Sequence, residues 1–146
     1  MLLLASQNAR FSLNIINYQF ANAELDGWDS EWLQVSGDVV CPLGSWKFLD
    51  PCLTTFELKG LAEWLTELKA SRAESHIDFT EPNLRFAHLK RPDGDILELH
   101  VSHEASPPWL EPDERLDGYS LHFPFSSINF NDAAKSVKTL YELFPE

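Results

Sequence analysis

Hydrophobic and polar positions alternate with period two over much of the chain and switch to the helical period twice. Between Phe11 and Phe20 the alternation changes phase. Phe11, Leu13 and Ile15 share one face, and Ile16, Tyr18 and Phe20 share the other. One extra residue near Ile15-Ile16, a β-bulge, reconciles the two sets. Ala21 to Ser30 reads as a polar loop around Gly27. The alternation resumes from Trp32 to Val40, with Leu33, Val35 and Val39 inward and Gln34, Ser36 and Asp38 outward. Pro42-Leu43-Gly44 predicts a turn. Ser45 to Leu49 returns as a strand with Trp46 and Phe48 on one face.

The period then lengthens. Leu58, Leu61, Leu65 and Leu68 recur at helical spacing, with Trp64 widening the stripe. Thr54 and Glu57 stand at the spacing of a capping box, in which each side chain satisfies the other's backbone N–H. Pro51 lies just outside the helix, where its missing N–H costs little. A helix to about Ser71 follows. Gly60 inside it costs about 1 kcal/mol relative to Ala, which burial of the stripe must outweigh.

After a linker at Ala73 to His76, Ile77 to Thr80 reads as a short strand. Leu84 to Lys90 and Asp95 to Val101 form a hairpin across Arg91-Pro92-Asp93-Gly94, a sequence suited to a type I turn. Pairing Lys90 with Asp95 sets Phe86 opposite Leu99 and Leu84 opposite Val101, which collects most large apolar residues on one face. That register also turns His88 inward and sets His100 outward opposite Arg85. The prolines between Ser106 and Pro112 predict a stiff loop. Tyr119 to Phe125 is a strand with Leu121, Phe123 and Phe125 inward. Asn129 or Asn131 caps a last helix striped by Ala133, Val137, Leu140, Tyr141 and Phe144. The fold class expected is therefore α+β: a mostly antiparallel sheet of six or seven strands with two amphipathic helices on one face.

Composition narrows the class. At 146 residues the chain reads as one domain, 1–146, and 12% aromatics argue against disorder. A formal net charge of −12 argues against nucleic-acid or anionic-membrane surfaces, which ask for basic patches. Met1 to Ala5 is apolar but lacks the basic flank and length of a targeting segment, and no stretch approaches a membrane span, so a cytoplasmic location is expected. Two cysteines, Cys41 and Cys52, make no disulfide framework and read as free thiols.

Candidate chemistry is sparse. His100 and His103 have the look of a metal pair, but on a strand they point to opposite faces, so no metal site is expected. Six glycines include no phosphate-binding arrangement, and no cofactor is expected. Cys52 beside Pro51 and Leu53 reads as packed rather than nucleophilic. Asp78, Glu81 and Glu98 read as ordinary solvated acids. No catalytic residue is assigned.

Charge distribution says more. Glu24 to Asp38 holds five acids and no Lys or Arg, and Glu104 to Asp117 holds five acids with only Arg115. Each segment carries a tryptophan, Trp28 and Trp109. Acidic loops with aromatic anchors suit recognition of a basic protein. The candidate partner-binding residues are Glu24, Asp26, Trp28, Asp29, Glu31, Trp109, Glu111, Asp113 and Glu114. The competing reading is that both tryptophans pack on the sheet and the acids solvate it.

One resemblance spans nearly the whole chain. Asp29-Ser30-Glu31-Trp32-Leu33-Gln34-Val35, Gly44-Ser45-Trp46, Asp50 to Leu58 with Leu61 and Trp64-Leu65, Phe79 to Leu84, Pro108-Trp109 and Phe144-Pro145 follow one another in an order that resembles the WapI family of bacterial immunity proteins. The resemblance implies a small cytoplasmic protein that binds and blocks the toxin domain of a polymorphic secreted toxin. No binding residue is carried over from it, because the shared motifs are caps, turns and sheet-facing tryptophans. The expected function is a non-catalytic immunity protein, monomer or homodimer, whose partner is a basic, nuclease-like toxin domain. The alternative is an enzyme or small-ligand-binding protein with a pocket between sheet and helices.

Overall fold

The computed structural model describes residues 1–19 and 31–145. The first half runs β1 (Leu2–Ala5), β2 (Arg10–Tyr18), β3 (Trp32–Cys41), β4 (Gly44–Thr54) and α1 (Thr55–Leu68). The second runs β5 (Ser75–Ile77), β6 (Leu84–Leu89), β7 (Ile96–Val101), α2 (Pro112–Asp117), β8 (Tyr119–Pro124) and α3 (Phe130–Leu143). Each half is a meander: the strands form two four-stranded antiparallel sheets in the orders β1-β2-β3-β4 and β5-β6-β7-β8.

The α+β class stands, with eight strands in two sheets among the described residues in place of one sheet of six or seven, and with a third, short helix. The strand missed is β1. Leu2 and Leu4 are buried, but the apolar Leu3 between them hides the alternation. The short helix is α2, which starts at Pro112, where a missing N–H is tolerated.

Two bulges shape the first sheet. In β2 the register slips between Ile15 and Asn17, so Ile16 stands out at 58% exposure and Tyr18 turns back toward the core. In β3–β4, Val35 faces Asp50 but Leu33 faces Leu53, so β4 carries one extra residue around Pro51-Cys52. The free edge of β4 accommodates a residue that cannot donate. The slip changes the inward parity from Trp46 and Phe48 to Leu53. It also leaves Asp50 on the same parity as Trp46 and Phe48, facing the second half of the molecule.

The second sheet has no register shift, and the pairs Leu84–Val101 and Phe86–Leu99 stand as the alternation predicts. Gly94 N–H closes the turn on Arg91 carbonyl at 3.1 Å.

Helix α1 begins with the expected capping box: Thr54 Oγ1 accepts from Glu57 N–H, and Glu57 Oε1 accepts from Thr54 N–H at 3.1 Å. Leu58, Leu61, Leu65 and Leu68 are buried. Trp64 is half-buried, with its indole N–H donating to Ser75 Oγ at 3.1 Å. Helix α3 is capped by Asn129, whose side chain accepts from Asp132 N–H. One hydrophobic cluster runs through both sheets, α1 and α3. Tyr18 closes the C-terminus: its ring meets Phe144 edge-on at 5.6 Å, and its hydroxyl donates to Pro145 carbonyl at 2.6 Å.

Candidate partner-binding surface

The segment after β7 builds most of the candidate region that the described residues include. Its Pro107 is buried, and the chain runs over the β3–β4 turn. Trp109 rests on that turn. The ring lies edge-on to Trp46 at 5.5 Å, and a Cβ on Gly44 would come within 2.9 Å of it. Gly44 also has φ of +141°, so both its backbone and its neighbour ask for glycine. Trp46 is held in turn by its indole N–H, which donates to Ala105 carbonyl at 2.9 Å. One face of Trp109 is thus packed while the side chain stays 50% exposed, which combines the two competing expectations. A braced aromatic with a free face is the usual form of an interface anchor.

Glu111, Asp113 and Glu114 are exposed around it, on and beside α2. Glu111 and Glu114 form a reciprocal capping box at the start of this helix, so those two carboxylates also have a local task. Arg115 turns back to Ser106, its Nε donating to Oγ at 3.1 Å.

Of the first acidic segment, Glu24, Asp26, Trp28 and Asp29 lie outside the described residues, as do Phe20 and the expected Ala21–Ser30 loop. Glu31 is described. It accepts from the Thr55 hydroxyl at the start of α1. Glu31 precedes the first residue of β3, whereas Trp109 sits on the turn at its other end. Ten strand residues separate the two by about 30 Å.

Other acids lie on the chain between them, and the sequence reading did not count them among the partner-binding residues. Glu57 Oε2 accepts from Thr80 N–H at 2.6 Å, beside the exposed Glu81. Asn83, buried to 1% exposure, donates from Nδ2 to Asp50 Oδ2 at 3.0 Å and to Glu104 Oε2 at 3.2 Å. One amide thus holds a carboxylate of the first half and a carboxylate of the second. Burial pushes the Asp50 carboxyl above the usual carboxylate range, and Glu104 and Glu81 add repulsion that the Asn83 hydrogen bond only partly offsets. The signal that could have found this seam is the inward alternation of Trp46 and Phe48, which Asp50 continues opposite Val35.

The candidate catalytic groups are otherwise occupied. Cys52 is buried, and desolvation pushes its thiol far above the range of a usable thiolate. Asp78 pairs with Arg85 at 2.8 Å and with His76 at 3.2 Å, and Glu98 pairs with His122 at 2.8 Å. Among the described residues no three His, Cys, Asp or Glu side chains gather as a metal site. No helix among them is long and apolar enough to cross a membrane. The core cluster draws its side chains from both sheets and from α1 and α3.

Compared with known families, the chain matches the immunity protein WapI-like family over residues 1–145. The chain belongs to that family. Membership suggests an immunity-protein role, as the run of motifs from Asp29 to Pro145 implied. A search of the curated proteins gives no match. The surface joins one partly packed aromatic, Trp109, to the exposed side chains of Glu111, Asp113 and Glu114.

Proposed function

We propose that this WapI-like protein acts without catalysis, by binding a cognate toxin domain and blocking it. The observation that carries the proposal is the family match over residues 1–145. The surface chemistry supports it. A net charge of −12, with Glu104, Glu111, Asp113, Glu114 and Asp117 around the half-exposed Trp109, favours a basic partner such as a nuclease-like domain. Carboxylates in such a place steer encounter and occupy the positions a substrate's phosphates would take. Trp109 then supplies contact area at little conformational cost.

The test is co-expression with the toxin domain encoded beside it. The protein restores growth, and the purified pair forms a complex. Failure of both overturns the immunity reading. Asp113→Lys with Asp117→Lys tests the surface, because neither side chain closes the capping box that Glu111 and Glu114 form. Association at low salt slows by about ten-fold or more if the acids steer. An unchanged rate, with growth still restored, moves the interface elsewhere.

A further inference from the structure

Three lysines of this acidic protein gather between α1 and α3. There the two helices leave an open furrow of about 630 Å³. Its floor is made by Ala62 and Ala134, each 8% exposed, and Tyr141 forms part of its wall. Small floor residues let another backbone come close to both helices. Lys59 of α1 and Lys135 and Lys138 of α3 line it, against one lining carboxylate, Glu63. Three of the chain's 11 Lys and Arg residues thus gather in one place on a molecule of net charge −12.

Two of the three lysines, Lys59 and Lys135, make no ion pair among the described residues. Lys59 instead lies over the Tyr141 ring, 5.9 Å from its centre. Lys138 makes only a 3.9 Å contact with Glu142, one turn on and exposed. On α3 the lining runs from Asn131 to Tyr141, a length of about 15 Å, or three turns. A long furrow with an apolar floor and charged rims has the shape of a helix-binding groove.

We infer that this furrow docks an acidic amphipathic helix of a partner polypeptide. The helix lays small or leucine side chains on Ala62 and Ala134 and sets Asp or Glu against Lys59, Lys135 and Lys138. Charge complementarity selects this occupant over a basic or neutral helix. It also separates the furrow from the acidic surface around Trp109, which asks for the opposite partner. The inference does not rest on the toxin-binding proposal.

The probe is a designed peptide of about 18 residues, long enough to hold helix on its own, with a leucine stripe flanked by glutamates. Its twin carries lysines in place of the glutamates. Amide shifts measured by NMR are expected in 59–66 and 131–141 with the glutamate peptide only. In Lys59→Glu/Lys135→Glu/Lys138→Glu, glutamate-peptide affinity falls by about ten-fold or more while the lysine peptide gains. Lys135→Glu alone gives a smaller change of the same sign if the triple variant does not fold. Equal binding of both peptides overturns the inference, as do shifts outside these helices. Equal displacement by inorganic phosphate would make the furrow a general anion site and overturn it. Self-association in sedimentation that the charge reversal abolishes would make the occupant a second copy and overturn it too.

Discussion

The two halves of this molecule share an order of elements, four antiparallel strands and then a helix, but they hold it by different means. The first half uses long strands, of nine to eleven residues in β2 to β4, and needs a bulge in β2 and another in β4 to keep its apolar residues inward. The second uses strands of three to six residues in unbroken register and places its extra chain between β7 and β8. In one half the irregularity sits inside the sheet, just past Asp50, which continues the inward parity of Trp46 and Phe48 toward the other half. In the other it sits outside the sheet and carries the Trp109 surface. Irregular backbone thus adjoins both acidic features.

The largest effects test whether the halves are one unit. Phe11 of the first sheet and Phe86 of the second are fully buried in one cluster. Phe11→Ala and Phe86→Ala are each expected to cost about 3–5 kcal/mol. Urea unfolding followed by fluorescence and by circular dichroism should show a single coincident transition in both variants. Two separated transitions would make the halves independent domains.

Next in size is a contact peculiar to the first half. Phe48 lies over Gly37 on the neighbouring strand, where an added Cβ would come within 2.2 Å of the ring. Gly37→Ala is expected to cost roughly 1–3 kcal/mol by forcing the ring aside. In a Phe48→Ala background most of that cost should vanish, which a double-mutant cycle measures. Additive effects would mean that the ring moves freely.

The regular half was the more legible. Alternation and one Pro-Asp-Gly turn are enough to set Phe86 against Leu99, because a one-residue slip there would turn every apolar side chain outward. Both long helices were legible for the same reason, since Thr54, Glu57 and Asn129 are local signals. Division into two sheets was not, because which strand edges remain unpaired is decided by contacts distant in sequence. The β2 bulge announced itself as a change of phase between Ile15 and Ile16. The β4 bulge did not, because Cys52 and Leu53 are both apolar and hide the slip. Asp50 entered the reading only within the run from Asp50 to Leu58, and its seam with Glu104 went unread. Trp109 was found through its acidic neighbours, but its packed face depends on Gly44, 65 positions earlier by the residue numbers.

A smaller pair of effects compares the two helix starts. Thr54 belongs to a reciprocal box whose Glu57 also holds Thr80 N–H, while Asn129 makes one capping bond. Thr54→Ala should cost about 1–2 kcal/mol and Asn129→Ala about 0.5–1 kcal/mol. Equal losses would show that the Glu57 carboxylate keeps its place without the threonine. Gly60→Ala belongs to the same comparison with the opposite sign. Its Cβ would meet nothing nearer than Ile77 Cδ1 at 4.0 Å, and a gain of up to about 1 kcal/mol is expected in thermal unfolding.

The smallest effect distinguishes the halves by the sign of one pH dependence. Asp50 has its carboxyl raised above the ordinary carboxylate value of 3.8, by burial first and by Glu104 second. The native state therefore holds that proton more tightly than the unfolded chain does, and ionising Asp50 costs stability as pH rises through its raised value. Asp95, at the end of the β6–β7 turn, is the opposite case. His88 at 2.7 Å and then Lys90 at 3.5 Å lower its carboxyl below 3.8, against a smaller opposing effect of burial. Its contribution is present above 3.8 and is lost as pH falls through the lowered value. Asp50→Asn keeps an oxygen for Asn83 and removes the charge, so the variant should be more stable than the parent at neutral pH. Asp95→Asn should be less stable there. Both differences should shrink on acidification, the first as the parent's Asp50 takes up its proton and the second only further down, once Asp95 does. Urea midpoints at a series of pH values read both curves. If Asp50→Asn were destabilising at neutral pH, the ionised carboxylate would be holding the seam together through Asn83, and the two halves would be joined there by charge rather than in spite of it.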